Sequence, residues 1–196
     1  MTLAEQRTLM RSGQMYNDLT DELVQAREQT VLRTDEYNRS FARPGQEREQ
    51  ILATLLGSVG RGVHFEPTFR CEFGSTIVIG DNFYANFDCV MLDGGGIAIG
   101  DNVLFGPRVS VYTSNHALDA GERVSGGCYA KPVSIGSNTW IGGGVTINPG
   151  VSIGANVVIG SGSVVTRSIP DGVLAAGVPC RVIRSITAAD RTGFTP

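Results

Sequence analysis

The sequence predicts a mainly β protein: a parallel solenoid of triangular cross-section, entered through a small helical cap. Three observations predict it. Isoleucine or valine recurs every six residues, at Ile135, Ile141, Ile147, Ile153, Ile159 and Val165. The word I-G-x-N recurs at Ile79–Asn82, Ile99–Asn102, Ile135–Asn138 and Ile153–Asn156. The first 57 residues show neither pattern.

The cap comes first, over residues 1–57. Thr2 and Glu5 have the spacing of a capping box. Segments near 2–12, 18–30, 34–40 and 46–56 have helical composition, punctuated by Gly13, Pro44 and Gly57.

The solenoid follows over 58–183. A period of six fits neither a helix nor simple strand alternation. It fits flat sides of about six residues, each a short strand with an inward apolar residue and then a corner. Corners need residues that tolerate positive φ, and glycine and asparagine do so best. The last two I-G-x-N words are eighteen residues apart, and the middle two are thirty-six apart. Three sides therefore close one coil. The first two words are twenty apart, so one early coil carries two extra residues, expected within Asp93–Gly96. From 113 to 132 the inward isoleucines vanish while the phase is kept, which predicts an excursion loop. Loops on rigid scaffolds often carry function. The tail, 184–196, is expected to follow a strand that starts near 181 and to hold a short helix.

Composition narrows the function. At 196 residues, the chain is one domain or one domain with an appendage. A net charge of -3 and a single lysine, Lys131, argue against a generic nucleic-acid binder. No apolar run is long enough to span a bilayer, and the first residues lack the apolar core of a secretion signal. Cys71, Cys89, Cys128 and Cys180 form no C-x-x-C pair, so free thiols in a reducing cytoplasm are expected. There is no G-x-S-x-G nucleophile elbow.

Of the two histidines, His116 lies in the excursion. On the residues alone it is either a surface-loop histidine or a general base near neutrality. His64 reads as a wall residue. Arg167, Arg181 and Arg184 cluster late in the chain, as solvated end charges or as a phosphate site.

The repeats resemble those of the left-handed parallel β-helix acyltransferases. The combined words resemble the maltose and galactoside O-acetyltransferases, nodulation acetyltransferases included. Those words are Gly13–Asp18, Phe69–Gly74, Asn82–Phe87, Trp140–Gly143, Ile147–Val151 and Ala175–Ile183. The resemblance implies a left-handed β-helix, a homotrimer with active sites between subunits, and acetyl-CoA as donor to a sugar hydroxyl, with no metal. It implies His116 as the catalytic base. It implies acceptor contacts at Asp18, Glu72, Tyr84, Asn86, Asp93 and Cys128. Donor contacts fall on Gly143, Ser161, Thr166, Arg167, Arg181 and Arg184, with the Gly143 amide holding the oxyanion.

Two positions depart from the family pattern: Gly94 and Gly127 stand where many members carry an acid. The acceptor could therefore differ from maltose or a galactoside. An antibiotic or other non-sugar acceptor is the alternative within enzymes, and a non-catalytic scaffold the alternative outside them. A carbonic anhydrase on the same prism would need three zinc histidines, and the chain has two.

Overall fold

A computed structural model describes residues 1–195. Helix α1 (Leu3–Arg11) begins at the Thr2 capping box, in which Thr2 and Glu5 satisfy each other's backbone N–H. Helix α2 spans Asp21–Arg39 and α3 spans Gly45–Leu55. The two segments expected at 18–30 and 34–40 are one helix. Nothing in Val31–Arg33 breaks it, and Thr30 and Thr34 return their hydroxyls to the carbonyls of Ala26 and Thr30, both at 3.0 Å.

The solenoid has three parallel faces. The first face stacks Ser58–Val59, Ile77–Ile79, Ile97–Ile99, Val133–Ile135 and Ser152–Ile153. The second stacks His64–Phe65, Tyr84–Ala85, Leu104–Phe105, Trp140–Ile141, Val158–Ile159 and Val173–Ala176. Arg181–Ser185 closes that sheet as an antiparallel edge, and a short 3-10 helix at Ala188–Asp190 follows it. The third face stacks Arg70–Cys71, Val90–Leu92, Ser110–Tyr112, Thr146–Ile147 and Val164–Val165.

Every isoleucine of the six-residue series is buried, as is the residue four positions on: Thr139, Val145, Val151, Val157 and Ser163. Each side thus points two residues inward. Register explains the early spacing. Val59, Ile79 and Ile99 lie in line, twenty residues per coil, whereas Ile135 and Ile153 are eighteen apart. Two coils, and not one, carry two extra residues, at the same corner: Phe73–Thr76 and Asp93–Gly96. Phenylalanines fill the wider coils. Phe65 lies 4.1 Å from Phe69 and 5.1 Å from Phe83, between ring centroids.

At the I-G-x-N corner, the asparagine and not the glycine takes positive φ, between 55° and 58° at Asn82, Asn102, Asn138 and Asn156. Their amides form a ladder from coil to coil, with Nδ2 donating to the next Oδ1 at 3.0, 3.0 and 3.3 Å. The glycine answers a different need. A Cβ at Gly136 would sit 2.5 Å from the Ala155 nitrogen of the next coil.

The excursion is a hairpin, Ser114–His116 with Gly127–Ala130, carrying helix α4 (Ala120–Val124) at its tip. A cap strand, Tyr16–Asn17, pairs antiparallel with Gly127 and Cys128 and completes a three-stranded sheet. Lys131 N–H donates to the Thr113 carbonyl at 2.8 Å and closes the neck. Gly127 has little room for a side chain: a Cβ would meet the Glu122 carbonyl oxygen at 2.8 Å. No described helix is long and apolar enough to cross a membrane.

The ladder yields a test. Asn138→Ala removes two amide contacts and leaves an alanine at positive φ, and should cost about 1–3 kcal/mol. Asn138→Gly loses the contacts but relieves the backbone. Thermal unfolding should rank wild type above Asn138→Gly above Asn138→Ala. Equal melting temperatures for the two variants would show that the left-handed backbone carries no cost.

Candidate active site

The hairpin sheet aligns Tyr16, Cys128 and His116 in one cross-strand row. Tyr16 and Cys128 are buried, and His116, on the edge strand, is exposed. The Cys128 sulfur lies 3.2 Å from the Tyr16 hydroxyl. Burial pushes the Cys128 thiol up, and it raises the Tyr16 hydroxyl as well. The expected contact of Cys128 with an acceptor does not fit a side chain 1% exposed. Cys128 instead packs beside His116 in the floor of the sheet.

Ser114 lies on the same side of its strand as His116, two residues earlier. A charged cluster accompanies it. Arg27, from α2, donates through Nε to Glu72 Oε1 at 3.0 Å and through its two Nη to the Asp18 carbonyl at 3.0 and 3.1 Å. It also pairs with the Asp18 carboxylate and lies over the Phe73 ring, 5.4 Å from the centroid. Burial raises the Glu72 carboxyl above its ordinary value, and Arg27 opposes that shift. Glu72 Oε2 and Ser114 Oγ are buried without a hydrogen-bond partner among the described residues. Both flank Gly94. A Cβ there would meet Ser114 Oγ at 3.0 Å and Glu72 Oε2 at 3.6 Å. Glu72 and Ser114 thus crowd the place where an acid at 94 would sit.

Asp93 is a correction. It is fully buried, and its Oδ1 accepts the Glu72 and Phe73 N–H groups at 3.1 and 2.8 Å. Its Oδ2 accepts from Thr76 N–H and the Thr76 hydroxyl. With both oxygens engaged, it ties together the two widened corners and offers the acceptor nothing directly.

A second group lies elsewhere. Tyr84 sits on the second face, stacked on His64 at 5.8 Å. Asn86 is at the corner between the second and third faces, where its Oδ1 accepts the Phe87 N–H at 2.9 Å. Gly143 occupies the same corner on a later coil, and no described group accepts its N–H. Ser161 is one coil further, joined through Gly162 N–H to the Gly143 carbonyl at 2.9 Å. Arg181 follows at the end of this edge, reached through the Cys180 N–H on the Val164 carbonyl. Trp140 and Leu104 stand exposed on the second face.

The expected donor residues do not all share this line. Thr166 and Arg167 follow the third-face strand Val164–Val165 and lie one corner on. Arg184 holds Asp190 in a two-point ion pair, at 2.9 and 2.7 Å, so its fork is engaged within the chain.

Within one chain the two groups stay apart. The hairpin leaves the prism between the third and first faces. Asn86 and Gly143 lie across the third face from it.

Sequence reasoning missed Arg27, Ser114 and Tyr16 as parts of the site. Arg27 is one of several arginines on the cap helices, with no local signal to mark it. Ser114 and Tyr16 gain meaning only through strand pairing.

A triangular solenoid of hexapeptide coils, broken once by a histidine-bearing hairpin, defines the class of left-handed β-helix acyltransferases. Comparison with known proteins places the chain within it. Residues 9–60 match the maltose acetyltransferase hexapeptide capping motif, and 132–167 match the bacterial transferase hexapeptide. Galactoside O-acetyltransferase of Escherichia coli K12 is 42% identical over 182 residues, covering 93% of this chain and 90% of the relative. A maltose O-acetyltransferase from Clostridium difficile 630 superimposes with a TM-score of 0.90 at 47% identity, covering 95% and 98% of the two chains. A galactoside acetyltransferase solved with coenzyme A gives 0.89 at 41% identity, covering 97% and 94%. The chain belongs to the maltose and galactoside O-acetyltransferase family of hexapeptide-repeat enzymes.

The Glu72 environment has a pH consequence. A raised carboxyl means that the fold favours the protonated form. Glu72 therefore adds stability below the ordinary value of 4.5 and costs stability above its own raised value. Its charge, which pairs with Arg27, is lost on acidification earlier than that of an ordinary carboxylate. Acceptor KM should begin to rise at a pH above 4.5 in the wild type and stay flat there in Glu72→Gln. A wild-type profile that breaks only below 4.5 would remove Glu72 from acceptor binding.

Proposed function

We propose that the protein transfers the acetyl group of acetyl-CoA to a hydroxyl of a maltose-, glucose- or galactoside-like sugar, with His116 as general base. One observation carries this reading: the hairpin sheet presents His116 on the same side as Ser114, whose buried, unpartnered hydroxyl flanks Gly94 together with the unpartnered oxygen of Glu72. Asp18, Arg27 and Glu72 are suited to bind sugar hydroxyls, because a charged acceptor or donor makes the stronger hydrogen bond. Family membership supports the donor and the reaction type.

In this reading the acceptor hydroxyl attacks the thioester carbonyl while His116 removes its proton. The tetrahedral oxyanion is held by the free N–H of Gly143. Collapse breaks the C–S bond and expels the CoA thiolate, which takes the proton back from His116. The products are an acetyl ester and a free thiol. No covalent enzyme intermediate is needed.

The separation of the two residue groups supports a shared site. His116, Asp18 and Glu72 would come from one subunit, and Tyr84, Asn86, Gly143 and Arg181 from its neighbour in a homotrimer. Exposed Leu104 and Trp140 on the second face fit burial between subunits. Arg181 is the better phosphate ligand, since Arg184 must first leave Asp190. The four free cysteines suit a reducing cytoplasm.

His116→Ala should keep its assembly, melting temperature and acetyl-CoA affinity, while kcat for thiol release falls about 10²–10⁴-fold. Near wild-type turnover would return His116 to a surface role and favour the scaffold reading. Co-refolding His116→Ala with Gly143→Pro should restore activity beyond either variant alone, because some mixed sites combine intact halves. Light scattering that finds a stable monomer would defeat the shared site. Streptogramin turnover with no turnover of sugars would replace the acceptor class.

A further inference from the structure

The cap holds a buried cation that no acid balances. Arg48, on α3, is 6% exposed. Its guanidinium lies 4.6 Å from the Tyr37 ring centroid and 5.0 Å from that of Phe41. One Nη donates to the Tyr37 hydroxyl at 2.9 Å and to the Phe65 carbonyl at 2.8 Å. The other Nη is buried with no partner. Among the described residues, no carboxylate lies within ion-pair distance of it. Buried arginines are almost always paired, because an uncompensated charge in the interior is costly.

Two further features face the same space. A cavity of about 270 Å³ is lined by Tyr37, Phe41, Arg43, Gly45, Arg48 and Glu49, with Val63 and His64 as its far wall. Gly45 opens α3, whose N-cap residue is Pro44 and carries no capping side chain. The first N–H groups of that helix are thus without a side-chain acceptor, and the positive end of its dipole points toward the cavity. Arg43 is exposed and makes no ion pair among the described residues. The one acid on the lining, Glu49, is exposed and pairs with neither arginine.

We propose that this cavity is an oxyanion site, taking a phosphate or carboxylate group on Arg48, Arg43 and the amino end of α3. With one Nη engaged and the guanidinium held against two aromatic rings, the other Nη is fixed in place to donate to an oxyanion, a charge-assisted bond. Uncapped helix N–H groups supply further donors to the same anion. The body of the ligand would rest against Phe41 and His64, whose rings are 6.4 Å apart. His64 in turn stacks on Tyr84 of the second face. The oxyanion is therefore either that of a free small molecule or one borne by a long acceptor that reaches past Tyr84.

Inorganic phosphate is the probe. Calorimetric titration of the donor-free protein, at ionic strength fixed with chloride, should show one phosphate per chain. Arg43→Gln should weaken it about tenfold, the worth of one charge-assisted bond. Arg48→Gln should abolish it. Arg43 is exposed, so its variant tests the site even if Arg48→Gln fails to fold. The double variant Arg181→Ala/Arg184→Ala should bind phosphate as the wild type does, which separates this site from the donor's. Phosphate that raises the KM of a neutral sugar assigns the anion to an acceptor. Phosphate that binds without changing that KM assigns a free anion. Absence of binding, or equal binding in wild type and Arg43→Gln, overturns the proposal.

Discussion

Everything in this molecule depends on one coil resting on the next through its backbone. Along each face, N–H groups of one coil donate to carbonyls of its neighbour, and the pairs keep register from Val59 through Ile79 and Ile99 to Ile135 and Ile153. That contact must continue around three corners per coil. Most corners turn the chain through a left-handed residue and bring two backbones together without a side chain between them. Asparagine meets the first demand and its amide then adds a bond upward. Glycine meets the second. The I-G-x-N word is these two demands written side by side.

A wall built this way has little freedom for chemistry. Inward positions are filled by packed side chains, and outward ones are fixed by register. Two buried polar atoms without partners, Glu72 Oε2 and Ser114 Oγ, lie where the rule is suspended. Two widened corners, Phe73–Thr76 and Asp93–Gly96, sit beside the hairpin, and Asp93 spans them with its carboxylate. That buried acid spends its charge on backbone N–H groups. It fixes the main chain at Glu72, and so aims a carboxylate whose outer oxygen is left unpaired. The cap belongs to this arrangement: its strand Tyr16–Asn17 is the third strand of the hairpin sheet, and its α2 supplies Arg27.

Periodicity made the prism legible, because inward residues repeat at a spacing that no other fold demands. The excursion was legible by the same test in reverse. What stayed hidden was set by pairing across long separations. The widening at 73–76 was masked because no earlier I-G-x-N word stands before Ile79 to measure it against. Asp93 looks like a ligand in sequence, since an acid beside glycines gives no hint of four buried donors above it. Arg27 and Glu72 are 45 residues apart, and only the docking of α2 joins them. The continuous α2 was hidden for a local reason: weak helix formers such as Thr34 interrupt propensity, while burial of Leu23, Thr30, Thr34 and Tyr37 holds the helix.

The placement of the hairpin decides what kind of site the chain can make. A prism presents three corners, and a loop leaving one of them cannot reach the face opposite. His116 leaves the corner between the third and first faces. The free N–H of Gly143 and the outward row of Tyr84, Leu104 and Trp140 lie beyond the third face. In the proposed reaction, base and oxyanion donor act on one carbonyl, and their places across the third face favour their coming from different copies. The exposed apolar residues are where such a copy would rest, because a stripe this apolar is poorly placed in water. On this argument, assembly and chemistry are one requirement. Within one chain the outward face that carries Tyr84, Leu104 and Trp140 stays open, which is why the shared site proposed above takes its second wall from a neighbouring copy.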